Sequence, residues 1–233
     1  MSTNHRIVRA FAPAIASCLV CAGFALAGAH TWRVNELFSD STGTIQFIEL
    51  RESGGGNGEV GVNGHSVTSN TRNYVIPGPS LPPVTGNRIL LFATPAAAAL
   101  PGMPTPDYVF PSNMVPFINP AGDTIQYFGF SSETFGAGQL PTDGVHSLTT
   151  YLGTRSVNCA TPTNFNNVSG HINLGCTLLG DVDNNGSRNG NDISAFVRVV
   201  LGTPQLTDNA TCAEYCTGTV SGNIAAFVND LLS

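Results

Sequence analysis

The chain has 233 residues, with nine arginines, no lysine and fifteen acidic residues, so its formal net charge is −6. This length suits one large domain or two small ones. A chain without a basic patch cannot neutralise a phosphate backbone, so the composition excludes nucleic acid as a partner. Its 26 glycines and 15 prolines, with few helical repeats of apolar residues, indicate a mainly β protein.

Residues 1–29 have the pattern of a secretory signal peptide. Arg6 and Arg9 supply the positive start, and an uncharged, apolar run follows. Small-x-small motifs place the cleavage after Ala29, with Ala27 as the alternative. An uncleaved membrane anchor and a lipoprotein attached through Cys18 are the other interpretations. We therefore expect a protein that is secreted, held at the cell surface or retained in the periplasm.

Signal removal leaves seven arginines against fifteen acids, a net charge near −8, and no second run long enough to span a membrane. It also leaves four cysteines, and an even number in an exported chain favours disulfides. Pairing Cys159 with Cys176 would close a connector of about 18 residues and contribute roughly 3 kcal/mol. Cys212 and Cys216 would form the second bridge, although the sequence leaves the connectivity open.

Short β-branched and aromatic segments alternate with turn residues from residue 30 to 158, as is typical of a β-sandwich or barrel. One short helix is expected at residues 95–100, with Thr94 as its N-cap and Pro95 at its first position. The predicted strands are residues 32–37, 44–50, 59–64, 74–76, 88–93, 108–110 and 124–128.

Several short motifs occur here in a fixed order and spacing. They are Val-Asn-Glu-Leu at 34–37, Phe-Ile-Glu-Leu at 47–50, Arg-Ile-Leu-Leu-Phe-Ala at 88–93, Asp-Tyr-Val-Phe at 107–110 and Asn-Pro-Ala-Gly-Asp-Thr-Ile at 119–125. Together they resemble the lamin-tail-like domain, an immunoglobulin-like β-sandwich of exported bacterial proteins. The family's Leu-x-Gly-Trp strand is missing from residues 65–85. The resemblance implies a binding or structural module without catalysis.

An internal repeat follows at residues 177–233. Two apolar stripes at helical spacing, offset by 31 residues, predict two short amphipathic helices. Gly202 and Pro204 end the first helix. Because neither helix would be stable alone, we expect the stripes to face each other and bury a small core. The stripes are Ile193, Phe196, Val197, Val200 and Leu201, and Ile224, Phe227, Val228, Leu231 and Leu232.

An EF-hand-like loop precedes the first helix. Alternate residues of a tight loop direct their oxygens inward, and Ca²⁺ takes six to eight oxygen ligands. Gly186 stands where the chain must turn sharply, and Asp replaces the usual Glu at the last position. A polar linker is the alternative interpretation. The expected ligands are Asp181, Asp183, Asn185, Ser187 through its carbonyl, Asn189 directly or through water, and Asp192.

A loop and helix that occur twice resemble the type I dockerin. The resemblance implies two calcium loops and docking onto a cohesin-like or cell-surface protein partner. The second loop departs from the pattern, because Cys216 stands where an oxygen ligand belongs and Glu214 is the carboxylate that remains. We therefore expect one Ca²⁺ per chain, and a fold that joins an immunoglobulin-like β-sandwich to a small α-helical calcium-loop domain.

Catalytic motifs are weak in this sequence, so we expect no enzyme. His65, His146 and His171 are isolated and form no zinc motif. A hydrolase triad could be imagined at residues 143–147, but a turn is the simpler interpretation. Glu36 and Glu49 stand in neighbouring predicted strands, as paired glycosidase carboxylates would, but a sandwich of this size offers no obvious cleft for a substrate.

We predict that the chain is a secreted, non-catalytic, calcium-binding protein with an interaction or structural function. The alternative is a carbohydrate-binding accessory protein of a polysaccharide-degrading system, with a glycan as ligand. That alternative needs exposed aromatic rings. Packing in the core or at its rim is the simpler interpretation of the four candidate rings, which are Trp32, Tyr74, Tyr108 and Tyr127.

Overall fold

The structure, a computed structural model, describes residues 28–217 and 219–232. Within these ranges it is mainly β, with ten strands in two sheets, which confirms the predicted fold class at that level. The strands are β1 Trp32–Ser39, β2 Gln46–Glu52, β3 Ser66–Thr68, β4 Asn73–Val75, β5 Ile89–Ala93, β6 Tyr108–Val109, β7 Asp123–Tyr127, β8 Ser131–Phe135, β9 His146–Thr149 and β10 Ser156–Cys159. The helices are α1 Pro95–Ala98, α2 Asp192–Val200 and α3 Val220–Leu231.

The larger sheet has the strand order β10-β9-β1-β2-β5-β6, and the smaller sheet has the order β4-β3-β7-β8. β5 and β6 pair in parallel, whereas β1 and β2 pair antiparallel with a bulge at Asn35. The main core includes Trp32, Leu37, Ile48 and Tyr127, all fully buried and drawn from both sheets. The chain therefore buries its largest side chains between the two layers.

A second apolar cluster covers the outer face of the larger sheet. Phe38 and Phe47 stack there with ring centroids 5.3 Å apart, and α1 together with residues 160–174 packs over them. α1 begins as predicted, because the Thr94 hydroxyl accepts the N–H of Ala97 at 3.4 Å and Pro95 follows it. The connector is therefore a third layer of the fold.

Most predicted strands are confirmed, but residues 59–64 form no strand. The Glu59 carboxylate accepts the N–H of Thr31 at 3.3 Å, and its carbonyl accepts the indole N–H of Trp32 at 2.9 Å. This segment therefore anchors the start of β1 through side-chain bonds. β3, β8, β9 and β10 were not predicted, because they are short and largely polar.

Nearly all of the predicted signal peptide lies outside the described residues. Its last two residues, Gly28 and Ala29, are part of the fold: the Gly28 carbonyl accepts the N–H of Gly61 at 3.0 Å, and Ala29 is buried in the main core. The cleavage site after Ala27 keeps both residues and therefore suits this fold better than the site after Ala29. None of the described helices is long and apolar enough to cross a bilayer.

The two disulfides connect Cys159 with Cys216 and Cys176 with Cys212. The expected pairing of Cys159 with Cys176, and of Cys212 with Cys216, is therefore wrong. Residues 160–174 pack against the large sheet, which places Cys159 of β10 beside the loop before α3. Cys212 instead faces the apolar core of the C-terminal segment. Both bridges thus join segments that are distant in sequence.

Candidate metal centre

Two buried aspartates organise the loop of residues 181–192. Asp181 accepts the N–H groups of Asn185 at 3.0 Å and Gly186 at 2.9 Å. Asp192 accepts the N–H groups of Asp183 at 3.0 Å and Asn189 at 2.8 Å. The loop is therefore wrapped around these two carboxylates, which are 3 % and 0 % exposed.

Asp183 joins them, so that Asp181, Asp183 and Asp192 each place one carboxylate oxygen within 4.8 Å of the others. Two oxygens on opposite sides of a Ca²⁺ ion, each about 2.4 Å away, are separated by about 4.8 Å. Three converging carboxylates therefore match the spacing and the donor chemistry of a hard cation. Without one, their mutual repulsion would oppose the folding of the loop.

The other predicted ligands stand further round the loop. The side-chain carbonyl of Asn185 accepts the N–H of Ser187 at 2.9 Å, and the Ser187 carbonyl accepts the side-chain amide of Asn189 at 3.2 Å. Gly186 has φ of 85°, which a residue with a Cβ rarely adopts. The structure thus places all six predicted residues on one loop and brings their three carboxylates together.

Two arginines near the loop pair with other acids. Arg188, inside the loop, lies 3.0 Å from Asp230 near the end of α3. Arg198 of α2 lies 2.6 Å from Asp208, and this ion pair holds the pKa of Asp208 below its usual value. The Arg188 contact was not predicted, because loop spacing carries no information about which helix lies opposite. It couples the loop directly to α3.

The second loop is held by hydrogen bonds and a disulfide. Glu214 accepts the N–H of Cys216 and the side-chain amide of Asn223, both at 3.0 Å. The Asn223 side-chain carbonyl accepts the hydroxyl of Thr217 at 2.9 Å. The residues aligned with the ligand positions of the first loop are therefore occupied in bonding to each other.

α2 and α3 meet through Phe196 and Phe227, whose rings stack with centroids 4.0 Å apart. The expectation that both stripes bury a common core holds for these two residues and for little else. The remaining stripe residues line an open groove of about 620 Å³ between the helices. Its apolar walls include Ile193, Val197, Val200, Ile224, Val228 and Leu231.

Glu36 and Glu49 lie directly opposite each other on β1 and β2. Glu36 accepts the hydroxyl of Ser147 at 2.6 Å, and Glu49 accepts the side-chain amide of Asn35 at 2.6 Å. Burial raises the pKa of both carboxyls, and the charge of Glu36 raises the pKa of Glu49 further. Both residues line an open surface cavity of about 450 Å³, but their carboxyls are almost fully buried and are hydrogen-bonded to the connector.

The imagined triad does not assemble. His146 Nδ1 lies 2.8 Å from a carboxylate oxygen of Asp143, but the Ser147 hydroxyl donates to Glu36 instead. His65 packs against aromatic rings, and His171 lies beside the sulfur of Cys216. The three histidines therefore belong to three separate environments.

The four aromatic residues considered for a sugar-binding platform pack in or against the core, as the simpler interpretation of the sequence predicted. Trp32, Tyr74 and Tyr127 are buried in the core, and Tyr108 stacks on Phe92 with ring centroids 4.8 Å apart. Sandwich strands direct such residues inward because burying a large ring is strongly favourable. Among residues 28–217 and 219–232, the exposed aromatic rings are those of Phe128 and Phe130, 53 % and 38 % exposed, in the loop between β7 and β8. The Phe-Gly-Phe sequence of that turn was the available signal.

The chain was compared with protein-family models, with curated proteins and with solved structures, and no match was found in any of the three. The loop, the groove and the exposed side chains are therefore the features that indicate its function.

Proposed function

We propose that this protein is an exported, non-catalytic interaction protein whose C-terminal segment docks onto a partner protein when its loop holds Ca²⁺. The observation that supports this most directly is the apolar groove between α2 and α3. Val197 and Val228, on its two walls, are 47 % and 45 % exposed. Exposed apolar surface that is grouped in one groove is typical of an interaction site.

Calcium and the groove are linked through Asp192. This residue is both one of the three converging carboxylates and the first residue of α2. A cation that draws the carboxylates together would therefore set the position at which α2 begins. The Arg188–Asp230 ion pair extends the same link to α3. Dockerin-like docking on a cohesin-like partner is consistent with this arrangement.

Two disulfides are compatible with an extracellular location, since such bridges persist in oxidising compartments. The groove walls are apolar and carry no charged side chain among the residues that line them. The partner surface is accordingly expected to be apolar as well, with affinity that depends little on ionic strength.

A charged residue in the groove should abolish docking. We expect the Val197→Asp, Val228→Asp double variant to lose calcium-dependent retention of exported proteins from the source organism, measured on the immobilised full chain. Buried, unpaired carboxylates at an interface are strongly unfavourable. The matched control is Ser194→Asp, which adds a charge to an exposed position of α2 outside the groove. Retention of the same proteins by the double variant, or in the presence of a calcium chelator, would refute the proposal.

A second candidate function is carbohydrate binding by the loop between β7 and β8. Phe128 has φ of 42°, a conformation that a bulky side chain adopts at a cost. Its ring lies 4.1 Å from that of His65 and 5.6 Å from that of Phe130. Strain that displays two aromatic rings to solvent favours a ligand-binding role for this loop.

The carbohydrate function predicts that the Phe128→Ala, Phe130→Ala variant loses the binding of neutral glycans on an array. Val84→Ala, which removes another exposed apolar side chain, should leave that binding unchanged. An array without any bound glycan for the native chain would count against this candidate and leave the docking proposal intact.

A further inference from the structure

The Cys159–Cys216 disulfide differs from the Cys176–Cys212 disulfide in its surroundings. Cys212 is buried in the apolar core of the C-terminal segment and its partner Cys176 is half-buried, whereas Cys159 and Cys216 are both half-buried. Cys159 lies on the edge strand β10 and lines a surface cavity of about 360 Å³. A dissolved thiol can reach Cys159 and also Cys176, which lines another surface cavity, but attack on Cys176 would leave the thiolate on Cys212 in its apolar surroundings, which disfavour the charge.

His171 stands on the other side of this disulfide, with its Nε2 atom 2.9 Å from the sulfur of Cys216. Burial lowers the pKa of His171, which keeps the ring neutral at neutral pH. In the tautomer with hydrogen on Nε2, the ring donates a hydrogen bond to this sulfur. Such a bond is strengthened when the sulfur becomes a thiolate, so Cys216 is the better leaving group of the pair.

The backbone of Cys216 favours opening of the bond, whichever sulfur is attacked. Its φ is 55°, in the left-handed region that residues with a Cβ adopt at a cost. The covalent bond to β10 helps to hold that conformation, and its rupture allows the loop to relax.

We propose that Cys159 is a modification site for small, positively charged thiols, which open the bond to Cys216 by thiol–disulfide exchange. The incoming thiol first loses its proton to solvent. Its sulfur then bonds to the sulfur of Cys159 as the bond to Cys216 breaks, and the electron pair leaves with Cys216. His171 donates to that thiolate, which then takes a proton from solvent. One disulfide is consumed and one mixed disulfide is formed, so no further oxidant or reductant is required.

The preference for cationic thiols follows from the charge of the cavity. Glu214 lines it together with Cys159, and the whole chain carries a formal charge of −6. His146 also lines the cavity, but it lies 2.8 Å from Asp143, which offsets any positive charge on its ring. A negative field raises the local concentration of cations and repels anions.

The exchange opens one of the two disulfides and leaves the other intact. Cys159–Cys216 ties the sandwich to the loop before α3, whereas Cys176–Cys212 ties the connector to the C-terminal core. Modification of Cys159 removes the first link and leaves the second. The exchange requires neither bound calcium nor a docked partner.

Mass spectrometry of the native full chain tests the site. The chain is treated with limiting cysteamine, quenched with acid and alkylated before the measurement. Cleavage at Phe165, Phe196 and Glu214 separates the four cysteines. We expect the cysteamine adduct on Cys159, alkylated Cys216 and an intact Cys176–Cys212 bridge. At equal thiolate concentration, cysteamine should react about tenfold faster than 2-mercaptoethanesulfonate. An adduct on Cys216, earlier opening of Cys176–Cys212, or an equal or faster anionic thiol would overturn the proposal.

His171→Phe tests the leaving-group argument, because it keeps an aromatic ring and removes the donor. We expect the exchange to slow about tenfold, as the loss of one hydrogen bond to a charged group implies. His65→Phe is the matched control and should react at the native rate. An unchanged or faster exchange in His171→Phe would contradict the role given to His171, and the opening rate of Cys176–Cys212 reports any general loosening of the fold.

Discussion

Calcium titration of the native chain is expected to give one bound ion, and Asp181→Asn is expected to abolish it. The three carboxylates of the first loop converge within 4.8 Å, and loss of one charge should weaken binding by about 100-fold or more. At a calcium concentration 1,000-fold above Kd, the native chain should gain about 4 kcal/mol in free energy of unfolding. Isothermal calorimetry gives the stoichiometry, and denaturant unfolding with and without chelator gives the stabilisation.

The same substitution should act in the opposite direction when calcium is removed. Asp181→Asn relieves the repulsion among three close carboxylates, and its amide oxygen still accepts one of the two N–H groups that Asp181 binds. The chelated variant should therefore unfold at a higher denaturant concentration than the chelated native chain. A mutation that merely damaged the loop would lower stability in both conditions.

Glu214→Gln provides the matched control from the second loop. Glu214 accepts hydrogen bonds from Cys216 and Asn223, and we assign it no metal. The variant should bind one Ca²⁺ with native affinity. A stoichiometry near two for the native chain, reduced to one by Glu214→Gln, would show that the second loop is a calcium site.

Local sequence patterns predicted the parts of the fold that depend on local chemistry. Thr94 followed by Pro95 begins α1 because a hydroxyl N-cap and a proline both suit the first turn of a helix. The spacing of Asp181, Asp183 and Asp192 located the carboxylates that the structure brings together, because positions in a short loop determine which side chains converge.

Features that depend on distant contacts were missed or predicted wrongly. Cys159 and Cys176 are near in sequence, yet the connector packs on the large sheet and carries them to different partners. The helical stripes indicated which faces are apolar, but periodicity does not show whether another element covers them. Val197 and Val228 therefore remain exposed where a shared core was expected.

The burial of two acidic residues was also not predicted from the sequence. Glu36 and Glu49 look like ordinary polar positions of strands, and nothing local signals that residues 160–174 will cover them. The backbone N–H of Thr161 donates to Glu36 at 3.0 Å, and that of Thr163 donates to Glu49. These carboxyls thus replace a neighbouring strand as the hydrogen-bond partner of the connector.

Glu49→Gln is expected to stabilise the protein at neutral pH, whereas Glu49→Ala should destabilise it by about 2–4 kcal/mol. Alanine leaves the side-chain amide of Asn35 and the N–H of Thr163 without their acceptor, and each buried, unsatisfied donor costs about 1–3 kcal/mol. Glutamine keeps an acceptor for Thr163 and removes a buried charge. Denaturant unfolding of both variants beside the native chain measures the difference.

The raised pKa of Glu49 determines how the stability of the native chain changes with pH. Burial and the charge of Glu36 raise the pKa of Glu49 in the folded chain, so the folded state binds this proton more tightly than the unfolded state. The resulting stabilisation is fully present below the unfolded pKa and is lost as pH rises through the folded pKa. The native chain should lose stability over that window, and Glu49→Gln should lose less, since Glu36 still titrates.

Glu52 provides a control, because the expected effect of its replacement on stability is opposite to that of Glu49→Gln. Burial opposes its ionisation, but the N–H groups of Asn87, Gly54 and Gly55 donate to it at 2.7–2.9 Å and lower its pKa. Its stabilisation is present above the unfolded pKa and lost as pH falls through the folded pKa. Glu52→Gln should therefore destabilise at neutral pH while Glu49→Gln stabilises. If both substitutions shift the free energy of unfolding in the same direction, the cost of burying the charged Glu49 carboxylate does not explain the effect of Glu49→Gln.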